Sequence, residues 1–228
     1  MRSATVAIAA LFAALLPAGA EAAESQVLER GGYVLDFRDP AGRLDQALAN
    51  RMAETFFSVY PRLAADFNPD AARTVTFTID PAYDGVAATW NDAIVYNPAW
   101  FDQHPGDIDV VTHELMHVVQ AYKGDDTPGW LVEGIADYVR ARYGVDNPGA
   151  GWTMPEPKPE HQATTGYRVT ARFLAWLETH GHAGIVRTLD GQLRDRTWSD
   201  ASWVALTGQP LDALWAAYVA DPALGAGA

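Results

Sequence analysis

The sequence predicts an α+β fold in which a small N-terminal mixed sheet gives way to a mainly helical C-terminal lobe. Three observations carry this expectation. Alternating and β-branched segments are confined to residues 33–96. Helical periodicity dominates after them. At the junction stands His113-Glu114-Leu115-Met116-His117, inside a run that reads as a helix. Strands early and helices late segregate into two lobes with a cleft between them.

The elements follow in order. Residues 33–37 alternate like a short strand behind Gly31-Gly32. Residues 44–67 place Leu44, Leu48, Met52, Phe56, Phe57, Tyr60 and Leu63 on one stripe, with Pro61 as an interruption. Residues 75–79 are β-branched and bounded by turn residues. Residues 86–90 and 93–96 flank Asn91-Asp92 and predict a hairpin whose first strand could accept an extended peptide, or be an ordinary sheet edge. Residues 107–122 form the motif helix. Thr127-Pro128 has the form of an N-cap followed by proline at the first helical position, opening a helix over 129–143. Residues 144–165 are rich in glycine and proline and read as a long loop. Further helices are expected over 167–180, 184–193, 199–206 and 211–219.

The N-terminus has the pattern of an export signal: Met1-Arg2, an apolar run over 6–16, then small residues with cleavage expected after Ala20 or Ala22. The apolar run is shorter than the roughly 20 residues of a membrane span. The expectation is a signal peptide over 1–22 and one folded domain over 23–228, secreted or periplasmic, with no membrane span after cleavage. At 228 residues, 49% of them hydrophobic, the chain can bury a core without staples. It has no cysteine, which excludes disulfides, thiolate ligands and a thiol nucleophile. Its net charge of −13 argues against nucleic acid and anionic membranes as partners. The chain is expected to be a monomer. The eight tryptophans are scattered and read as core packing rather than a sugar platform.

His113 and His117 are four residues apart, so on a helix they lie one turn, about 6 Å, apart and face the same way. Two imidazoles can grip one metal from one side, and Glu114 sits beside it where a general base is needed. The same residues could be the polar face of a surface helix, because Ile108, Val111, Leu115, Val118, Val119 and Tyr122 lie opposite. Lys123 and Gln120 stand where a longer three-histidine signature needs histidine and glycine, so that class is excluded. Glu133 is the candidate third ligand and Asp137, one turn on, the candidate partner for the spare N–H of His113. A polar helix face would also explain both carboxylates. Gly134 favours the ligand reading, since a mid-helix glycine costs about 1 kcal/mol unless two helices meet there.

Three blocks carry a family resemblance. Val110-Val111-Thr112-His113-Glu114-Leu115-Met116-His117-Val118-Val119-Gln120 is the first. Pro128-Gly129-Trp130-Leu131-Val132-Glu133-Gly134-Ile135-Ala136-Asp137-Tyr138-Val139-Arg140 is the second, and Gly166-Tyr167-Arg168-Val169-Thr170-Ala171-Arg172-Phe173-Leu174 the third. The chain resembles the basic secretory protein family, zincin-like peptidases of plants and bacteria, from about residue 32 to 219. The resemblance implies a zincin-like fold and a secreted, Zn2+-dependent peptidase acting on peptides or proteins. It carries His113 and His117 over as ligands and Glu114 as base. The acidity of this chain departs from the family, so no role that depends on basicity carries over. Tyr167 and His161, in or just after the long loop, are the candidates to stabilise an oxyanion. Two other readings stand beside the peptidase: a non-catalytic zincin-fold binding protein, which has no need of Glu114, and a zinc hydrolase of a non-peptide amide.

Overall fold

In the computed structural model, residues 25–124 and 126–225 are described; the expected signal peptide lies outside them. Five strands form one mixed sheet in the order β1-β2-β3-β5-β4. β1 (Gln26–Arg30) and β2 (Tyr33–Arg38) pair antiparallel, with Gly31 and Gly32 at φ 61° and 79° in the turn between them. Positive φ at both turn positions is what the right-handed twist of a two-residue hairpin demands, and glycine adopts it without strain. β3 (Thr74–Ile79) runs parallel to both β2 and β5 (Ala93–Tyr96). β4 (Ala87–Trp90) pairs antiparallel with β5 and closes the sheet as an edge.

The parallel pair β2–β3 needs a crossover, and α1 (Gln46–Phe67) supplies it. Asp45 caps it by accepting from the Leu48 N–H at 2.7 Å. Met52, Phe56, Val59, Tyr60 and Leu63 are fully buried, with Phe56 edge-on to Phe77 of β3. Pro61 does not interrupt this helix. It lies on the less buried side, where the carbonyl it leaves unpaired can turn to solvent.

Behind the sheet run α2 (Pro98–Gln103), α3 (Val110–Gln120) and α4 (Gly129–Tyr143). α3 is buried on nearly every side, so His113 and Glu114 stand inside the protein rather than on a surface helix. Thr127 does not cap α4. Pro128 holds the N-cap position instead, its carbonyl accepting from the Leu131 and Val132 N–H groups. The long loop contains two short 3-10 turns, Asn147–Ala150 and Ala163–Thr165. α5 (Tyr167–Thr179), α6 (Ile185–Arg194), α7 (Ala201–Thr207) and α8 (Leu211–Ala220) complete the helical lobe, where Phe173, Trp203 and Tyr218 pack together. No described helix is long and apolar enough to cross a membrane. β1, whose residues are mostly exposed, and the six-residue α2 are absent from the sequence expectation.

Gly134 marks where α4 crosses α5. A Cβ built on it would clash with Thr170 Cγ2. Thr170 cannot turn away freely, because its hydroxyl donates to the Ala163 carbonyl at 2.6 Å and accepts from the Gly166 N–H at 2.9 Å. Gly134→Ala is expected to destabilise the protein by about 1–2 kcal/mol in urea denaturation, despite the gain in helix propensity. Adding Thr170→Ser, which deletes the offending methyl and keeps the hydroxyl, should recover part of the loss.

Candidate metal centre

α3 is held at both ends before any chemistry is considered. At its N-terminus the Asp109 carboxylate accepts from the Thr112 hydroxyl and from the Val145 and Asp146 N–H groups at 2.6–2.9 Å. Asp107, two residues earlier, takes a buried ion pair from Arg140 of α4. Near the C-terminus Asn68 donates to the Val119 carbonyl at 2.8 Å. The two helices therefore present fixed faces to each other.

On those faces His113, His117 and Glu133 converge. His113 Nε2 is 3.2 Å from His117 Nε2 and 3.2 Å from Glu133 Oε2, and His117 Nε2 is 3.6 Å from the same oxygen. Each imidazole is oriented from behind. His113 Nδ1–H donates to Asp137 Oδ1 at 2.8 Å. His117 Nδ1–H donates to Gln120 Oε1 at 2.7 Å, while Gln120 Nε2 donates to the Val132 carbonyl at 3.0 Å. That second bond fixes which end of the Gln120 amide faces the ring. With both Nδ1 atoms protonated, both Nε2 lone pairs and a carboxylate oxygen point at one another.

Three lone pairs at such distances repel unless a positive charge lies between them. A proton is one answer. Burial opposes charge on His113, but hydrogen bonds to Asp137 and Glu133 outweigh it and push its pKa up to about 10. Burial would likewise raise Glu133, yet the two imidazoles hold it far below the usual carboxylate range. A divalent cation satisfies all three atoms at once. Tetrahedral zinc with ligands at about 2.0–2.2 Å sets neighbouring ligand atoms about 3.3–3.5 Å apart, so the residues present fit that ion. Loading must displace the proton, so metal and acid compete for this site.

Glu114 stands beside the triad, buried, and accepts from Thr89 Oγ1 at 2.7 Å. Thr89 belongs to edge strand β4, so the sheet lobe orients the carboxylate that α3 supplies. Tyr167, at the start of α5, is 57% exposed and lies parallel to the His113 ring, with centroids 6.3 Å apart. Its φ of 46° is strained for a tyrosine, at a cost of order 1 kcal/mol, and follows Gly166 at φ 87°. Partial burial, then Glu133, Asp137 and Glu114, raise its pKa, so the phenol remains a donor. His113, His117, Glu114, Glu133, Asp137 and Tyr167 all line one cleft of about 1730 Å³. His161 is not among the residues lining that cleft; its Nδ1 accepts from the Lys158 N–H within the loop.

Two residues of the site escaped the sequence. Gln120 stands three residues after His117, a spacing that is a usable signal for a partner of its ring. Thr89 gives no local signal, because only the tertiary fold brings β4 to α3. The tryptophan expectation also needs correction. Trp203 is core, but Trp90 is 81% exposed, and Trp90, Trp100 and Trp152 line the cleft.

The family model described as BSP, peptidase of plants and bacteria, matches residues 33–218. No curated protein matches the chain. Among solved structures, a two-domain M1 zinc metallopeptidase mutant bound to L-arginine aligns with TM-score 0.52 and 18% identity, over 86% of this chain and 51% of that one. The M1 zinc metallopeptidase from Deinococcus radiodurans aligns with TM-score 0.50 and 16% identity, over 88% and 52%. A mutant of the Deinococcus radiodurans protein bound to a Tyr-Ser-Ala substrate gives the same TM-score, identity and coverage. This chain spans about half the length of those proteins. At such identities the likeness is one of fold, and the fold is zincin-like.

Proposed function

We propose, for a chain that belongs to the BSP family of peptidases of plants and bacteria, the zinc-dependent hydrolysis of peptide bonds outside the cytoplasm. The observation that carries this is the convergence of His113, His117 and Glu133 on one point, with Glu114 beside that point and not part of it. Zinc bound there would supply Lewis acidity, making water a nucleophile near neutral pH and polarising the scissile carbonyl. Export rests on the pattern of residues 1–22.

The side chains then divide the work. His113, His117 and Glu133 hold the ion, and Asp137 and Gln120 fix the two rings that face it. Glu114 takes a proton from the attacking water and passes it to the leaving amine. Thr89 keeps one oxygen of that carboxylate engaged and leaves the other for the proton. Edge strand β4, paired on one side only, offers backbone groups to an extended peptide lying in the cleft. Tyr167 donates a hydrogen bond to the developing oxyanion. A binding protein of the same fold would have no use for a buried Glu114 held by Thr89, which favours the enzyme.

Removing the Tyr167 hydroxyl with Tyr167→Phe is expected to lower kcat by about 10²-fold with little change in KM. Steady-state kinetics on one cleaved peptide checks it, and an unchanged kcat would take Tyr167 out of the mechanism. The function itself is tested with a mixed peptide library read by mass spectrometry, with and without chelator. Metal-dependent cleavage is expected. No cleavage by metal-loaded protein, or cleavage indifferent to chelator, would refute it.

A further inference from the structure

The cleft differs in chemistry between its two ends. Toward the C-terminus of α3 it is rimmed by the exposed charges of Asp70 and Lys123, with Asp92 and the exposed Trp90 at the β4–β5 turn. At the N-terminus of α3 it is aromatic, and the aromatic groups are tied together. Trp100 Nε1 donates to Asp107 Oδ2 at 2.9 Å. The other oxygen of Asp107 takes the Arg140 guanidinium, and that guanidinium lies over the Trp152 ring with its carbon 4.6 Å from the centroid. Trp100 also stacks on His104, centroids 3.8 Å apart. One buried ion pair thus sets the position of two indole rings, both partly exposed and both lining the cleft that holds His113 and Glu114.

We infer that this end of the cleft is a specificity subsite for an aromatic side chain of the peptide substrate, with Trp152 and Trp100 as its walls. The inference rests on the peptidase reading and deepens it. The wall is neutral, because the charges of Asp107 and Arg140 cancel in a pair shut away from water. A lysine or arginine side chain entering there would give up its hydration against a wall whose carboxylate, Asp107, already accepts from Trp100 and Arg140. An acidic side chain finds the guanidinium engaged by Asp107, Asn147 and Trp152. A flat apolar ring loses nothing on entry and gains offset or edge contacts with indoles whose orientation is fixed in advance.

The test uses peptides identical except for one residue, Phe, Lys or Ala, walked across the positions flanking the scissile bond. Their binding to metal-loaded Glu114→Gln protein is measured by calorimetry, and their cleavage by the wild type is followed in parallel. At one position Phe is expected to bind about tenfold or more tighter than Ala, with Lys no better than Ala. In Glu114→Gln carrying Trp152→Ala the preference should shrink to about twofold or less, and Trp152→Phe should retain it. Equal binding of Phe and Ala at every position, or a preference that survives Trp152→Ala, would overturn the inference. Should Trp152→Ala fail to fold, a peptide carrying p-benzoylphenylalanine at the preferred position decides. Crosslinks at residues 100–104 or 150–152 support the subsite, and crosslinks elsewhere overturn it. Cleavage without an aromatic preference would sink the subsite and leave the peptidase reading standing. Selective binding of Phe without cleavage would do the reverse.

Discussion

Glu114→Gln is expected to keep its metal and to lose turnover by about 10²–10⁴-fold. The substitution conserves shape, and the Gln oxygen can still accept from Thr89, so the cleft should be undisturbed. What disappears is the ability to take and return a proton. The loss should fall on kcat rather than on KM, because the carboxylate acts on the reacting atoms and not on the ends of the peptide. Metal content by mass spectrometry, measured on the preparation used for kinetics, separates the two causes of inactivity. Metal retained with turnover gone fits a general base. Equal turnover in both proteins would remove Glu114 from the mechanism, and loss of metal would make it a ligand.

The second large effect separates two carboxylates one helical turn apart. Glu133→Ala removes an atom that stands 3.2 Å and 3.6 Å from the two imidazole Nε2 atoms, and so deletes a ligand. Asp137→Ala removes an atom on the far side of the His113 ring, and the ring loses its orientation but remains a ligand. Asp137→Ala is expected to weaken zinc by about 10–100-fold, and Gln120→Ala, which frees His117, by a similar factor. Glu133→Ala should exceed both and lose stoichiometric metal during purification. Competition with a chromophoric chelator gives the order directly. Asp137→Ala losing more zinc than Glu133→Ala would mean that their roles are exchanged.

What the sequence made legible follows the range of each interaction. His113, Glu114 and His117 are local, and the helix alone sets their spacing. Glu133 lies on the next helix, within reach of a spacing argument, and Gly134 gave the hint that α4 is closely packed. That packing is against the Thr170 side chain of α5 and not against α3, so Gly134 does not bear on Glu133 as a ligand. Whether α3 was a surface helix or a buried one was not legible, because its stripe of apolar residues suits both. Only the packing of α1 and β4 against it decides. Thr89 was out of reach for the same reason: a threonine in a strand is ordinary until the strand meets Glu114. β1 was missed because it is exposed on most positions and carries no alternation, and α2 because six residues cannot show a helical period. Pro61 misled through a sound rule, since proline costs a helix least where the carbonyl it frees can reach solvent.

We propose that one zinc ion held by His113, His117 and Glu133 makes this protein a peptidase. A zinc titration of chelator-stripped protein, with bound metal and peptide cleavage followed together, tests this. Activity is expected to be absent at zero metal, to rise in proportion to zinc, and to stop rising at one ion per chain. Cleavage in the stripped protein, or no tight uptake of zinc at all, would contradict it.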